Sequence, residues 1–164
     1  MRFVRVAGGL IETDDGLLLV CNQRRGGRCD WSPPGGVIDD TDDDVISGLS
    51  REVHEETQLS VTSWAGPYYR VIAEAPHIGW HLTVEVFRAQ ELSGSLTVAD
   101  PDNIVIDAGF FSGDDMHLRL RAAPRWVSEP LTEWLTHRWE IDDCREFSYR
   151  IDGTGMHDMK VHRV

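Results

Sequence analysis

Apolar positions recur along this chain with two different periods. In "FVRVAGGLIETDDGLLLVCNQ", β-branched and aliphatic residues flank Asp14-Asp15-Gly16, which predicts two strands joined by a hairpin turn. "RRGGRCDWSPPGG" follows and reads as a loop from its Gly and Pro content. The period then changes. Val45, Ile46, Leu49 and Val53 form an apolar stripe at helical spacing, predicting a helix from Asp44 to about Thr57. Thr41 followed by Asp44 resembles a capping box at its start, with Asp in place of Glu. "LSVTSW", "YYRVIAEA" and "HLTVEVFRA" are β-branched or aromatic enough for strands, and "IVIDAGFF" for a shorter one. "APRWVSEPLTEWLTHRW" predicts a second helix from near Val127, with Trp126, Leu131, Trp134 and Leu135 facing a sheet. "REFSYRIDG" adds an edge strand, and the residues from about Thr154 are expected to be a loose tail. Strands and helices mixed without regular βαβ alternation define an α+β fold. No repeat or linker interrupts them, so residues 1–164 are read as a single domain.

Composition narrows the function classes. A hydrophobic share of 41% with six Trp is that of a globular protein. Lys and Arg number 16 against 28 Asp and Glu, a net charge of −12. Such a surface repels a phosphate backbone, which argues against long nucleic acid as a partner but leaves room for a small phosphorylated ligand carried by cations. Cys21, Cys29 and Cys144 are odd in number and lack CxxC spacing, so a disulfide scaffold or zinc knuckle is not expected. With no stretch of ~20 apolar residues and no apolar leader, the chain is expected to be soluble, away from membranes and cytoplasmic.

The chemistry concentrates in "REVHEE". On a helix, Glu52, Glu55 and Glu56 stand at i, i+3 and i+4 and share one face. Like charges at those spacings cost a helix a few tenths of a kcal/mol per pair. Arg51, at i, i+4 from Glu55, compensates part of this and leaves two acids uncompensated. Hard divalent cations such as Mg²⁺ take oxygen ligands, typically one or two carboxylates with waters and substrate phosphates. Taken alone, the hexapeptide is also what a solvated helix face looks like. Its context shifts the balance: "WSPPGG" delivers a rigid turn whose glycines allow close backbone approach to a ligand.

Together these residues resemble the Nudix box, whose pattern is G-x5-E-x7-R-E-U-x-E-E-x-G-U with U aliphatic. Gly36, Arg51, Glu52, Val53, Glu55, Glu56 and Leu59 match it, and Pro34-Gly35-Gly36 matches the common lead-in. The box spans residues 36–59. Two departures stand out. One extra residue lies between Gly36 and Arg51, assigned to the loop "VIDDTD", so that the acid before the x7 spacer becomes Asp43. Gln58 replaces the helix-closing Gly, where a left-handed backbone would cost about 1 kcal/mol.

The resemblance implies an α/β/α sandwich around a mixed sheet, and a Mg²⁺- or Mn²⁺-dependent pyrophosphohydrolase in which activated water attacks a diphosphate. It implies Glu52 and Glu56 as metal ligands, Glu55 as a third ligand or water-orienting group, the Gly36 carbonyl as a further ligand, and Arg51 as the positioning cation. The implied partner is a small nucleoside diphosphate derivative, with ADP-ribose or a nucleotide sugar preferred. The alternatives are a nucleoside triphosphate substrate, or a catalytically weak nucleotide-binding sensor. Family members are often dimers, which leaves a homodimer open. Outside the box, "ADPDNIVID" resembles the acidic loop that carries the general base in the ADP-ribose branch, making Asp102 the base candidate beside Asp100. A solvated turn acid is the competing reading. Arg24, Arg25 and Arg28, three scarce cations before the box, are candidates for substrate phosphate. Glu85 is placed either toward the metal or toward water, and Tyr68, Tyr69 and Trp80 either on a base or in the core.

Overall fold

A computed structural model describes residues 1–155 and 157–164. The elements run β1 (Arg2–Leu10), β2 (Glu12–Thr13), β3 (Gly16–Gln23), β4 (Cys29–Ser32), β5 (Gly35–Val37), α1 (Val45–Thr57), β6 (Ser60–Ala75) and β7 (Trp80–Ser93). They continue with β8 (Val105–Phe111), α2 (Gly113–Leu120), α3 (Arg125–His137), β9 (Arg145–Asp152) and β10 (Lys160–Arg163). A six-stranded mixed sheet has the order β10-β9-β6-β7-β1-β5, with β1–β7 and β6–β9 parallel. A second sheet is built on β3, which pairs antiparallel with β2, β4 and β8.

Strand alternation sends side chains to two cores. Leu82 and Val86 of β7, with Tyr69, Val71 and Ala73 of β6, join Leu131 and Trp134 of α3. Ala7 of β1 and Phe87 of β7 instead meet Leu49 and Val53 of α1. Helices thus cover opposite faces of the six-stranded sheet, which is the sandwich expected. Leu49 and Val53 are fully buried, each contributing about 1.5–3 kcal/mol relative to exposure. The turn at Asp14-Asp15 joins β2 to β3, while β1 leaves for the larger sheet.

Several elements differ from the sequence reading. The Gly/Pro-rich loop contains β4 and β5, because β3 and β1 offer edges that those short segments complete. "LSVTSW" and "YYRVIAEA" are one strand, β6, whose pairing with β7 is interrupted between Ala65 and Tyr69, where Pro67 lacks an N–H. A short helix, α2, lies ahead of α3. β9 is interior, because the tail returns as β10 and pairs with it. The loose tail is therefore ordered at Lys160–Arg163; of its other positions, Met156 lies outside the described residues. The capping box is absent too. Asp44 caps α1, its carboxylate accepting from the Ser47 N–H at 2.7 Å, and Thr41 takes no part.

Gln58 ends α1 with φ 61°, the left-handed conformation expected from its position. Replacing it with Gly removes that strain, so Gln58→Gly is expected to stabilise the fold by about 0.5–1 kcal/mol. A urea midpoint shifted upward at constant slope is the readout; an unchanged or lowered midpoint contradicts it.

Candidate active site

The site is built where β5 passes under α1. Two prolines bring the chain in, and the Pro34 carbonyl accepts from the Gly9 N–H at 2.8 Å. Gly35 has φ 152°, and a Cβ there would run into the Ala7 carbonyl, so only glycine fits. A Cβ on Gly36 would occupy the space of the Glu52 carboxylate. The glycines therefore form a cradle that lets an acid from α1 lie directly on the strand.

Arg51 knots the loop between β5 and α1 to the helix. Its Nε and one Nη donate to the two oxygens of Asp42 at 2.9 and 3.0 Å. The other Nη donates to Glu52 at 3.0 Å and to Glu55 at 3.4 Å. Longer contacts reach the Val37 carbonyl at 3.3 Å and Asp39 at 3.4 Å. The Arg51–Asp42 pair shifts the alignment of the box: spacing counted back from Arg51 gave Asp43 as the acid before the x7 spacer, whereas the acid that pairs with the arginine is Asp42. Six residues counted forward from Gly36 reach Asp42, whereas eight counted back from Arg51 reach Asp43. The extra residue thus lies between the acid and Arg51, not in "VIDDTD". Counting from the glycine is the signal that finds it.

The three glutamates differ in surroundings. Glu55 and Glu52 share Arg51, while Glu56 is buried and, among the described residues, has only the Gly35 N–H, at 3.4 Å, to offset its charge. Burial pushes the Glu56 carboxyl up to about 8, with Glu52, Asp100 and Glu55 adding to the effect. Burial also raises Glu52, against the pull of Arg51 and with smaller pushes from Glu55 and Asp102. Asp42 is held below the usual carboxylate range by Arg51 and by the Asp39 N–H. The acidic loop before β8 is near enough for its charges to be felt at both glutamates. Within it, Asp100 accepts from the N–H groups of Asp102, Ile104 and Val105 at 2.9–3.1 Å and so shapes the loop. Asp102 is exposed.

The remaining candidates divide. Arg24 is clasped by Asp30 through two bonds of 2.8 and 2.9 Å, while Arg25 and Arg28 are exposed at the β3–β4 turn and form no ion pair among the described residues. Glu85 accepts from Arg5 at 3.0 Å and Arg70 at 3.3 Å on the sheet. Tyr68 and Tyr69 belong to the core, and Trp80 lies 6.0 Å from Trp126.

The donor set suits a hard divalent ion: oxygens only, clustered, and including a buried carboxylate that no cation among the described residues neutralises. Among the described residues, no three acidic, His or Cys side chains converge around one ion position as they stand, and Arg51 holds oxygens of Glu52 and Glu55.

A family model described as the NUDIX domain matches residues 2–135. This chain belongs to the Nudix family, and as a member it is a pyrophosphohydrolase, a hydrolase of acid anhydrides. A MutT protein from Bacillus halodurans is similar in fold, with TM-score 0.65 and 18% identity over 98% of this chain and 97% of that one. A MutT protein from Methanosarcina mazei Go1 gives TM-score 0.66 and 18% identity over 84% and 96%. An ADP-ribose pyrophosphatase from Streptococcus suis gives 0.50 and 23% over 87% and 98%. Comparison with curated protein sequences gives no match. No helix among the described residues is long and apolar enough to cross a membrane.

The Glu56 environment makes a stability prediction. Its folded pKa, about 8, exceeds the ordinary 4.5, so the folded state binds a proton that the unfolded state releases. The stability from the neutral form is complete below about 4.5 and is lost as pH rises through about 8. With chelator present, Glu56→Gln is expected to match wild type at pH ~4 and to exceed it by on the order of 1–3 kcal/mol above pH ~8. Thermal melts at the two pH values decide: an equal difference at both would contradict the burial effect.

Proposed function

We propose that this Nudix hydrolase cleaves the diphosphate linkage of a nucleoside diphosphate derivative, of ADP-ribose or nucleotide-sugar type, with Mg²⁺ or Mn²⁺. The observation that carries the proposal is Glu56: a buried acid beside two others, without a cation of its own among the described residues. Glu52, Glu55 and Glu56 would hold the ion, with the Gly36 carbonyl as a further oxygen donor. The ion would acidify a water and offset charge on the diphosphate oxygens. Arg51 fixes Glu52 and Glu55 relative to the loop that Asp42 anchors. Asp102 would take the proton of the attacking water. Arg25 and Arg28 would meet substrate phosphate, while Arg24 holds β4 through Asp30.

ADP-ribose is favoured on the acidic loop of Asp100 and Asp102, and the Streptococcus suis relative carries that substrate in its name. Nucleoside triphosphates are the competing class. The sensor reading draws on Asp43, Gln58 and the extra loop residue; Asp42 pairs with Arg51 despite that residue, and Gln58 lies beyond the glutamates. Three unpaired cysteines accord with the cytoplasmic location proposed here.

Formation of a nucleoside monophosphate, with a sugar phosphate from ADP-ribose or nucleotide sugars and pyrophosphate from nucleoside triphosphates, tests the reading in the presence of Mg²⁺. Glu56→Gln is expected to lose at least the roughly 10–100-fold typical of disturbing a metal site's supporting shell. Equal activity in variant and wild type would refute the site, and tight nucleotide binding without turnover would favour a sensor. Asp102→Asn is expected to lower kcat by about 10²-fold or more with KM nearly unchanged. A kcat that does not move removes Asp102 as base.

A further inference from the structure

Outside the acidic site, two cysteines lie on one face of the β3–β4 ribbon. The strands pair antiparallel with Cys21 opposite Trp31 and Gln23 opposite Cys29. Cys29 and Trp31 are two residues apart and point to the same face, so Cys29 is the diagonal neighbour of Cys21 on that face. Burial lifts the Cys21 thiol, and the nearby Cys29 adds to the effect, so that it is pushed up to about 11. Their access differs. Cys21 is 6% exposed, whereas Cys29 is open to solvent.

We propose that Cys21 and Cys29 form a reversible cross-strand disulfide, with Cys29 the thiol that meets a peroxide and Cys21 its resolving partner. The Cys29 sulfur attacks the O–O bond of hydrogen peroxide, taking one oxygen as sulfenic acid and releasing the other as water. The Cys21 sulfur then displaces that hydroxyl, a second water leaves, and the S–S bond forms. Two thiols lose two electrons in total, and the peroxide is reduced to two waters. A dithiol reverses the step by exchange. Burial keeps Cys21 protonated in the reduced protein, so reaction starts at the exposed partner. The bridge fastens the ribbon at the end that carries Arg24–Asp30 and the Arg25–Arg28 turn, and from which β4 continues through two prolines into the glycine cradle. It stands independently of the diphosphate substrate proposed above.

The test uses the full chain with Cys144→Ser, which leaves two thiols. After hydrogen peroxide, quenching and unfolding, both thiols are expected to disappear together and to return with dithiothreitol. An unreduced digest is expected to yield a cross-linked peptide pair lighter by two hydrogens. Adding Cys29→Ser, an exposed change, is expected to leave the Cys21 thiol intact under the same treatment. The proposal is overturned if Cys29 advances to sulfinic acid or links two chains while Cys21 stays a thiol. It is equally overturned if excess peroxide consumes neither.

Discussion

A single guanidinium sets the geometry of the acidic site. Arg51 uses its planar fork to hold both oxygens of Asp42 while a third nitrogen spans Glu52 and Glu55. Charge-assisted bonds of this kind contribute about 1.5–3 kcal/mol each when well formed, against a few tenths for each like-charge pair on the helix. Attraction therefore prevails around Arg51, even after discounting for its partial exposure. At Glu56 it does not, because Arg51 reaches the other two acids and not this one. A lysine could not reproduce the arrangement, since a point charge has no fork with which to lock loop and helix in one register.

Elements that hold their own pattern were legible in the sequence. α1 announces itself by Val45, Leu49 and Val53, and the long strands by their β-branched and aromatic runs. What escaped were segments whose structure is conferred by a neighbour. β4 and β5 have compositions of a loop and become strands because β3 and β1 present unpaired edges. β10 is a four-residue strand that β9 recruits, and α2 is too short to show a convincing stripe. Ile46 belongs to the apparent stripe on α1 yet is 36% exposed, because the sheet covers a narrower arc than the spacing suggests.

Much of the site was equally legible, since the glutamates, Arg51 and Gly36 lie in one stretch of chain that folds back on itself. The exceptions depend on geometry that residue counting leaves open. Whether the extra residue precedes or follows the anchoring acid is settled by the loop's path, and that path selects Asp42. Arg24 resembles its neighbours Arg25 and Arg28 in sequence but differs in partner, because the β3–β4 register sets Asp30 beside it. The net charge of −12 likewise hides its own distribution: some of those acids are tied to arginines, as buried Asp30 is to Arg24, whereas buried Glu56 has no such partner among the described residues.

The strand beneath α1 has a consequence for how this protein can vary. At position 36 the Glu52 carboxylate fills the volume that any side chain would claim, so even one added methyl competes with the acid for the same room. At position 35 the obstacle is the main chain of β1. Adjacent glycines thus guard different properties: damage at 35 would strike the architecture, while damage at 36 would displace the Glu52 carboxylate from an otherwise preserved scaffold.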